Sequence, residues 1–80
     1  MKYRSRYEIF AAILRTAEKG AHKTRLTQGG FTSQYQANEY IPFLVGKHLL
    51  TYDEESRLYT TTESGRQFLK NYDGIEKMLQ

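Results

Sequence analysis

Between Gln34 and Glu39 the chain reads Q-Y-Q-A-N-E: three amides, a phenol and a carboxylate in six residues. An amide side chain carries a donor and an acceptor side by side, the arrangement needed to read base edges in a major groove. Helical spacing gathers Tyr35, Asn38, Glu39 and Pro42 on one face, with Gln34 and Gln36 on its flanks. The opposite stripe is apolar: Ala37, Tyr40, Ile41 and Leu44. An ordinary solvated helix would show a Lys/Glu mixture outward, so this face is unusual. The expected base-reading set is Gln34, Tyr35, Gln36, Asn38 and Glu39. Glu39 suits a cytosine amino group, or repels phosphates and sharpens selectivity; an intrahelical or intersubunit ion pair is its competing use. Tyr35 suits a phosphate or a thymine methyl, the alternative being a ring lying on the helix surface.

Cations and hydroxyls surround this stretch. Lys23, Thr24 and Arg25 open the preceding helix, where positive charge opposes the helix dipole and propensity does not explain it. Facing a phosphate backbone, the same side chains and free N–H groups become useful. With Ser33, Lys47 and Arg57 they form the expected phosphate-contacting set. The segment from Lys2 to Arg6 is either a further phosphate-contacting arm or a solvated terminus. Residues 1–52 hold eight Lys/Arg against three acidic residues, whereas residues 53–80 hold four against six. The net charge of +3 therefore conceals a basic first part, which is where a polyanion would sit.

The elements that must position these residues follow from periodicity and caps. Ser5-Arg6-Tyr7-Glu8 is a capping box, and Ile9, Phe10, Ile13, Leu14 and Ala17 continue as a core-facing stripe up to a left-handed cap at Gly20. A second helix spans about His22 to Gln28, buried through Leu26. A turn through Gly29-Gly30 leads to a third helix, Ser33 to Lys47, whose start is supported by Ser33-x-x-Gln36. Pro42 should kink this helix or end its regular part, leaving Phe43, Leu44 and Val45 to be buried. Two β-prone runs, Leu49–Tyr52 and Arg57–Thr60, flank Asp53-Glu54-Glu55-Ser56 as a hairpin, with Leu50, Tyr52, Leu58 and Thr60 lining one side or the other. Thr62-Glu63 opens a last helix buried through Phe68, Leu69 and Tyr72. Asp73-Gly74 should break it, leaving residues 74–80 as a short tail with Ile75, Met78 and Leu79.

Two helices about a glycine turn, followed by a hairpin, define the expected class: α+β and mostly α, a winged helix-turn-helix with a three-helix core, a β-hairpin wing and a C-terminal helix. Eighty residues allow one domain, residues 1–80. Cysteine is absent, which removes disulfides and thiolate metal sites. No run of about 18 apolar residues exists, and the start lacks a signal-peptide core, so a cytoplasmic protein with no membrane partner is expected, one that a base-reading helix would associate with the nucleoid. His22 and His48 stand isolated, and Asp53-Glu54-Glu55 lacks the alternating ligands of a calcium loop. No nucleophile elbow, phosphate-binding glycine loop or paired carboxylates appear, so neither enzyme activity nor a cofactor or metal is expected.

Blocks along the chain resemble the small archaeal winged-helix DNA-binding proteins, which include transcriptional regulators and chromatin-associated proteins. The blocks are R-S-R-Y-E-I (Arg4–Ile9), A-A-I-L (Ala11–Leu14), K-T-R-L (Lys23–Leu26), Ser33 with the Tyr40–Leu44 helix, and G-K-H-L-L (Gly46–Leu50). Y-D-E-E…T-T-E-S-G (Tyr52–Gly65) and F-L-K-N-Y (Phe68–Tyr72) complete them. The resemblance implies double-stranded DNA as the partner, with the helix 33–47 in the major groove and the wing near the backbone or minor groove. Three departures carry expectations. His48 replaces a usual glycine and must adopt a left-handed conformation; Gly29-Gly30 loosens the turn; Ala37 leaves a hole for Phe31 or Phe43 to fill. Some relatives dimerise through a long C-terminal coiled coil, for which Gly65 to Gln80 offers too few heptads. A homodimer through the C-terminal helix is still expected, because one recognition helix reads few base pairs. The rival function is a protein-docking winged helix within a transcription assembly, favoured by the acidic wing and by exposed Tyr35, Phe43 and Met78.

Overall fold

Helix α1, Arg6–Thr16, buries Ile9, Phe10, Ala11, Ile13 and Leu14 along one side, the stripe its sequence spells out. The computed structural model describes residues 6–29 and 34–79, without the side chains of Gln34, Glu76 and Leu79. The Ser5 cap, the arm before Arg6, Gly30, Phe31 and Ser33 lie outside the described residues. Helix α1 ends earlier than expected. After Thr16 the chain turns through Ala17–Lys19 and reaches Gly20, whose φ of +92° is the left-handed conformation that favours glycine.

Helix α2 spans Lys23–Gly29 and packs through Leu26; helix α3 spans Gln34–Gly46 and packs through Ala37, Ile41 and Leu44. Helix α3 runs on past Pro42 to Gly46, correcting the expected interruption. Proline removes one N–H donor from the helix ladder; here it lies on the exposed side, where water can satisfy the freed carbonyl. Of the residues after it, Leu44 is buried and Val45 half-buried, but Phe43 stays exposed and stacks on Phe10 at 5.5 Å. Phe43 is thus a lid on the α1–α3 seam. Ala37 is fully buried.

His48 has a φ of +62°, as the missing glycine requires, and carries the chain from α3 into strand β1, Leu50–Asp53. Strand β2, Leu58–Thr61, pairs with it antiparallel, Leu50 opposite Thr61 and Tyr52 opposite Tyr59. This register places Leu50, Tyr52, Tyr59 and Thr61 on one face, with Leu58 and Thr60 on the other. Tyr52 and Tyr59 lie 4.6 Å apart, and burial first, then the neighbouring Tyr52, raises the Tyr59 phenol above its ordinary pKa. A second pairing has no counterpart in the sequence pattern. Ala21 exchanges both backbone hydrogen bonds with Tyr59, at 2.9 and 2.8 Å, so the linker before α2 adds a one-residue edge to the wing.

Thr61 locks the sheet to α1. Its hydroxyl donates at 2.6 Å to the Leu14 carbonyl, an acceptor that α1 leaves open at its C-terminus, and its N–H donates at 3.0 Å to the Ala17 carbonyl in the turn that follows. Thr62 caps helix α4, Glu63–Leu79, by accepting from the Gly65 N–H at 3.0 Å. Helix α4 is uninterrupted at Asp73-Gly74, so residues 74–79 are helix and not a tail. Leu69 anchors α4 in the core, and Arg15 of α1 pairs with Asp73, the residue before Gly74. Gly74 costs about 1 kcal/mol of propensity, less than this anchoring supplies.

Candidate nucleic-acid interface

Helix α3 is held against the core by Ala37, Ile41 and Leu44, which fixes what it turns outward. Tyr35 is 80% exposed, and Asn38, Glu39 and Pro42 are exposed beside it. These three candidate readers therefore share one open face. Gln36 sits half-buried on a flank with an interaction of its own, which sets it apart from them. Gln34 begins the helix, on the flank nearer Asn38 by its spacing, and its side chain lies outside the description.

The candidate phosphate contacts divide into separate groups. Lys23, first residue of α2, reaches across the helix-turn-helix and donates from Nζ to Asn38 Oδ1. Two residues assigned separate tasks by sequence are thus one hydrogen-bonded pair. Sequence spacing offered no signal for it, since the partners lie 15 positions apart on different helices. Thr24 is exposed. Arg25 lines a depression with Arg15, Thr16, Glu18 and Lys19 at the end of α1, apart from the Lys23–Asn38 pair, and Arg15 there is committed to Asp73. Lys47 follows α3 and lies over the Phe43 ring, 5.7 Å from its centroid, a cation–π contact that places its charge at the C-terminal end of the outer face. Glu39 shares a shallow groove with Arg6, Phe10, Tyr40 and Phe43. Ser33 lies outside the described residues.

Arg57 belongs to the turn at the wing tip and not to the second strand, where its sequence pattern places it. It closes the turn Glu54–Arg57 with a φ of +61° and its N–H donates to the Asp53 carbonyl at 2.7 Å. The Asp53 carboxylate accepts from the Ser56 hydroxyl at 2.7 Å and from the Ser56 and Glu55 N–H groups at 3.3 and 3.4 Å. The Ser56 bonds hold the Asp53 pKa below its ordinary value. A carboxyl with a depressed folded-state pKa contributes its bonds fully above the ordinary value and loses them as pH falls through the depressed one. The Ser56 amide is therefore expected to titrate with Asp53 at a midpoint below that of an ordinary aspartate, read by nuclear magnetic resonance. A midpoint at or above that value would contradict the turn. His22 braces the other side, its Nδ1–H donating to the Arg57 carbonyl at 3.1 Å. That proton assignment is forced, because a carbonyl can only accept.

Among the described residues no group of three or more His, Asp or Glu is placed to hold a metal, and no helix is long and apolar enough to cross a membrane. A recognition helix packed across α1 and α2, followed by a two-stranded wing, defines a winged helix. The winged helix-turn-helix family model matches residues 3–80, and the chain belongs to that family. No curated protein matches it. Among solved structures, the crystal structure of Sso10a-2, a DNA-binding protein from Sulfolobus solfataricus, is similar, with a TM-score of 0.86 and 27% sequence identity over 94% of this chain and 81% of that one. The resemblance to archaeal winged-helix DNA-binding proteins is thus borne out.

Proposed function

We propose that this chain binds double-stranded DNA without catalysing a reaction, with α3 in the major groove, as a transcriptional regulator or chromatin-associated protein of the nucleoid. The observation that carries this reading is the open outer face of α3, Tyr35, Asn38 and Glu39, with Lys23 at one edge and Lys47 at its end. Membership of the winged helix-turn-helix family and the likeness to a DNA-binding protein support it. Tyr35, Asn38 and Glu39 read bases, joined by Gln34 and Gln36. Lys23, Thr24, Arg25, Ser33, Lys47 and Arg57 contact phosphates. Arg57 is the weakest of these, because its turn also carries the exposed carboxylates of Asp53, Glu54 and Glu55.

Fluorescence anisotropy on a labelled duplex across a salt series tests the reading. Each neutralised phosphate contributes about 0.9 to the slope of log affinity against log salt. Lys23→Ala with Arg25→Ala is expected to lower the slope by about 2. An unchanged slope would remove both residues from the phosphate set. Absence of binding at low salt would instead favour the docking-module reading, for which the acidic wing and the exposed Phe43 are the favouring observations.

The chain acts as a homodimer in this reading, joined through the distal part of α4. Ile75 is 58% exposed and Met78 84% exposed there, apolar side chains that a partner helix would cover. Light scattering at high protein concentration is expected to give twice the chain mass. A monomer mass, or a dimer unaffected by Ile75→Asp with Met78→Asp, would overturn this interface.

A further inference from the structure

Lys23 and Asn38 form a hydrogen bond between side chains of α2 and α3, and its chemistry constrains what Asn38 can read. An ammonium has three donors and no acceptor, so it binds an amide only at the oxygen. The contact therefore fixes which end of the Asn38 amide faces Lys23: Oδ1 lies against the positive charge and Nδ2–H2 points away from it. A free asparagine in a major groove favours adenine, accepting from its N6 amino group at Oδ1 while donating to N7. The oxygen keeps a second lone pair, but an N6 amino group that took it would set its positive hydrogens beside the ammonium, a repulsion that disfavours adenine. Guanine meets the opposite situation. Its O6 and N7 are adjacent acceptors, a pair no other base presents in that groove. One accepts from the Lys23 ammonium, whose third donor is left for the neighbouring phosphate, and the other from Asn38 Nδ2.

We propose that Lys23 and Asn38 act as a single two-donor unit that selects guanine over adenine, with Lys23 setting the polarity of the Asn38 amide. This rests on the DNA-binding reading above and assigns a base to it. It also explains why a cation opens α2 against the helix dipole: the side chain is committed across the turn to α3. Both residues are exposed, so neither is needed to fill the core.

The test is selection from a randomised duplex pool with the intact 80-residue chain, its Lys23→Met variant and its Asn38→Ala variant, each checked for folding by circular dichroism. The intact chain is expected to enrich guanine at one position. In Lys23→Met the released carbonyl lets Asn38 pair with adenine, and the guanine-to-adenine ratio at that position falls by about tenfold or more, within the discrimination a bidentate base contact supplies. In Asn38→Ala the preference weakens without turning to adenine. A lysine that only contacts phosphate would weaken binding evenly across sequences. Equal base preferences in the intact chain and Lys23→Met would therefore overturn this inference while leaving DNA binding in place. Failure of the intact chain to bind any duplex at low salt would overturn both.

Discussion

Gly65→Ala is expected to destabilise the protein by about 3 kcal/mol or more, the range of severe overpacking, and to lower Tm by roughly 10–20 °C for a domain of this size. A methyl group built on Gly65 would lie 2.4 Å from the Leu49 carbonyl oxygen and 2.5 Å from Thr61 Cγ2. Neither neighbour can give way. The Leu49 carbonyl accepts from the Thr62 N–H at 3.1 Å, and the Leu49 N–H is tied to Leu44 at 2.9 Å. Thr61 is held by the carbonyls of Leu14 and Ala17. Room for the methyl group therefore requires α4 to lift off the end of the wing, which opens the Thr62 cap. Helix propensity alone predicts the opposite sign, a gain of about 1 kcal/mol for Ala over Gly. Gly74→Ala supplies the control, since a methyl group there has nothing within 4 Å. Thermal unfolding should show the two substitutions moving Tm in opposite directions. A Gly65→Ala protein as stable as the parent would mean that α4 does not approach Leu49 this closely.

That close approach marks one boundary of what the sequence discloses. Helices with a repeated apolar stripe are legible, because period and caps are local: Ile9 to Leu14 and Ala37 to Leu44 both bury as their spacing requires. Interruptions are not legible for the same reason. Pro42 and Gly74 are unfavourable in an isolated helix, yet exposure of the Pro42 ring and the anchoring of α4 at Leu69 and Asp73 keep both helices continuous. Tertiary contacts outweigh about 1–3 kcal/mol of local preference. The Ala21 edge is a single residue, too short to show any alternation. His48 was legible because only its left-handed backbone explains a residue standing in for glycine, whereas nothing at Arg57 signals its φ of +61°.

The candidate interface was legible in outline and not in grouping. Periodicity put Tyr35, Asn38 and Glu39 on one face, and the structure agrees. It could not show that Lys23 is bonded to Asn38, that Arg25 turns toward Arg15 and Lys19, or that Gln36 is half-buried. Those outcomes depend on how α1, α2 and α3 are rotated against one another. Two-residue steps such as Lys23 to Arg25 reverse the direction of a side chain on a helix, so a run of cations is seldom one patch.

Phe10→Ala is expected to remove about 3–5 kcal/mol, a large share of the roughly 5–15 kcal/mol that holds a small domain folded. Phe10 is 4% exposed, and its ring meets Tyr40 edge-on at 5.3 Å, Phe43 stacked at 5.5 Å and Tyr7 edge-on at 6.1 Å. It is the ring through which α1 grips the C-terminal half of α3, and so it sets the tilt at which α3 would meet a groove. Phe43 contributes to the same stack from the solvent side, 44% exposed, and its loss should cost much less, about 1 kcal/mol of aromatic pairing. Urea unfolding of the two single variants and the double variant separates these contributions, with an expected coupling of about 0.5–1.5 kcal/mol. Phe10→Leu refines the result: it keeps most of the volume, so stability should fall by less than about 1.5 kcal/mol beyond the lost pairing, while α3 loses the flat surfaces that fix its orientation. DNA affinity falling in Phe10→Leu by more than its folded fraction explains would show that the aromatic stack aims the recognition helix as well as holding it. Equal losses in Phe10→Ala and Phe43→Ala would contradict the arrangement, because they would make the buried ring and the exposed one equivalent.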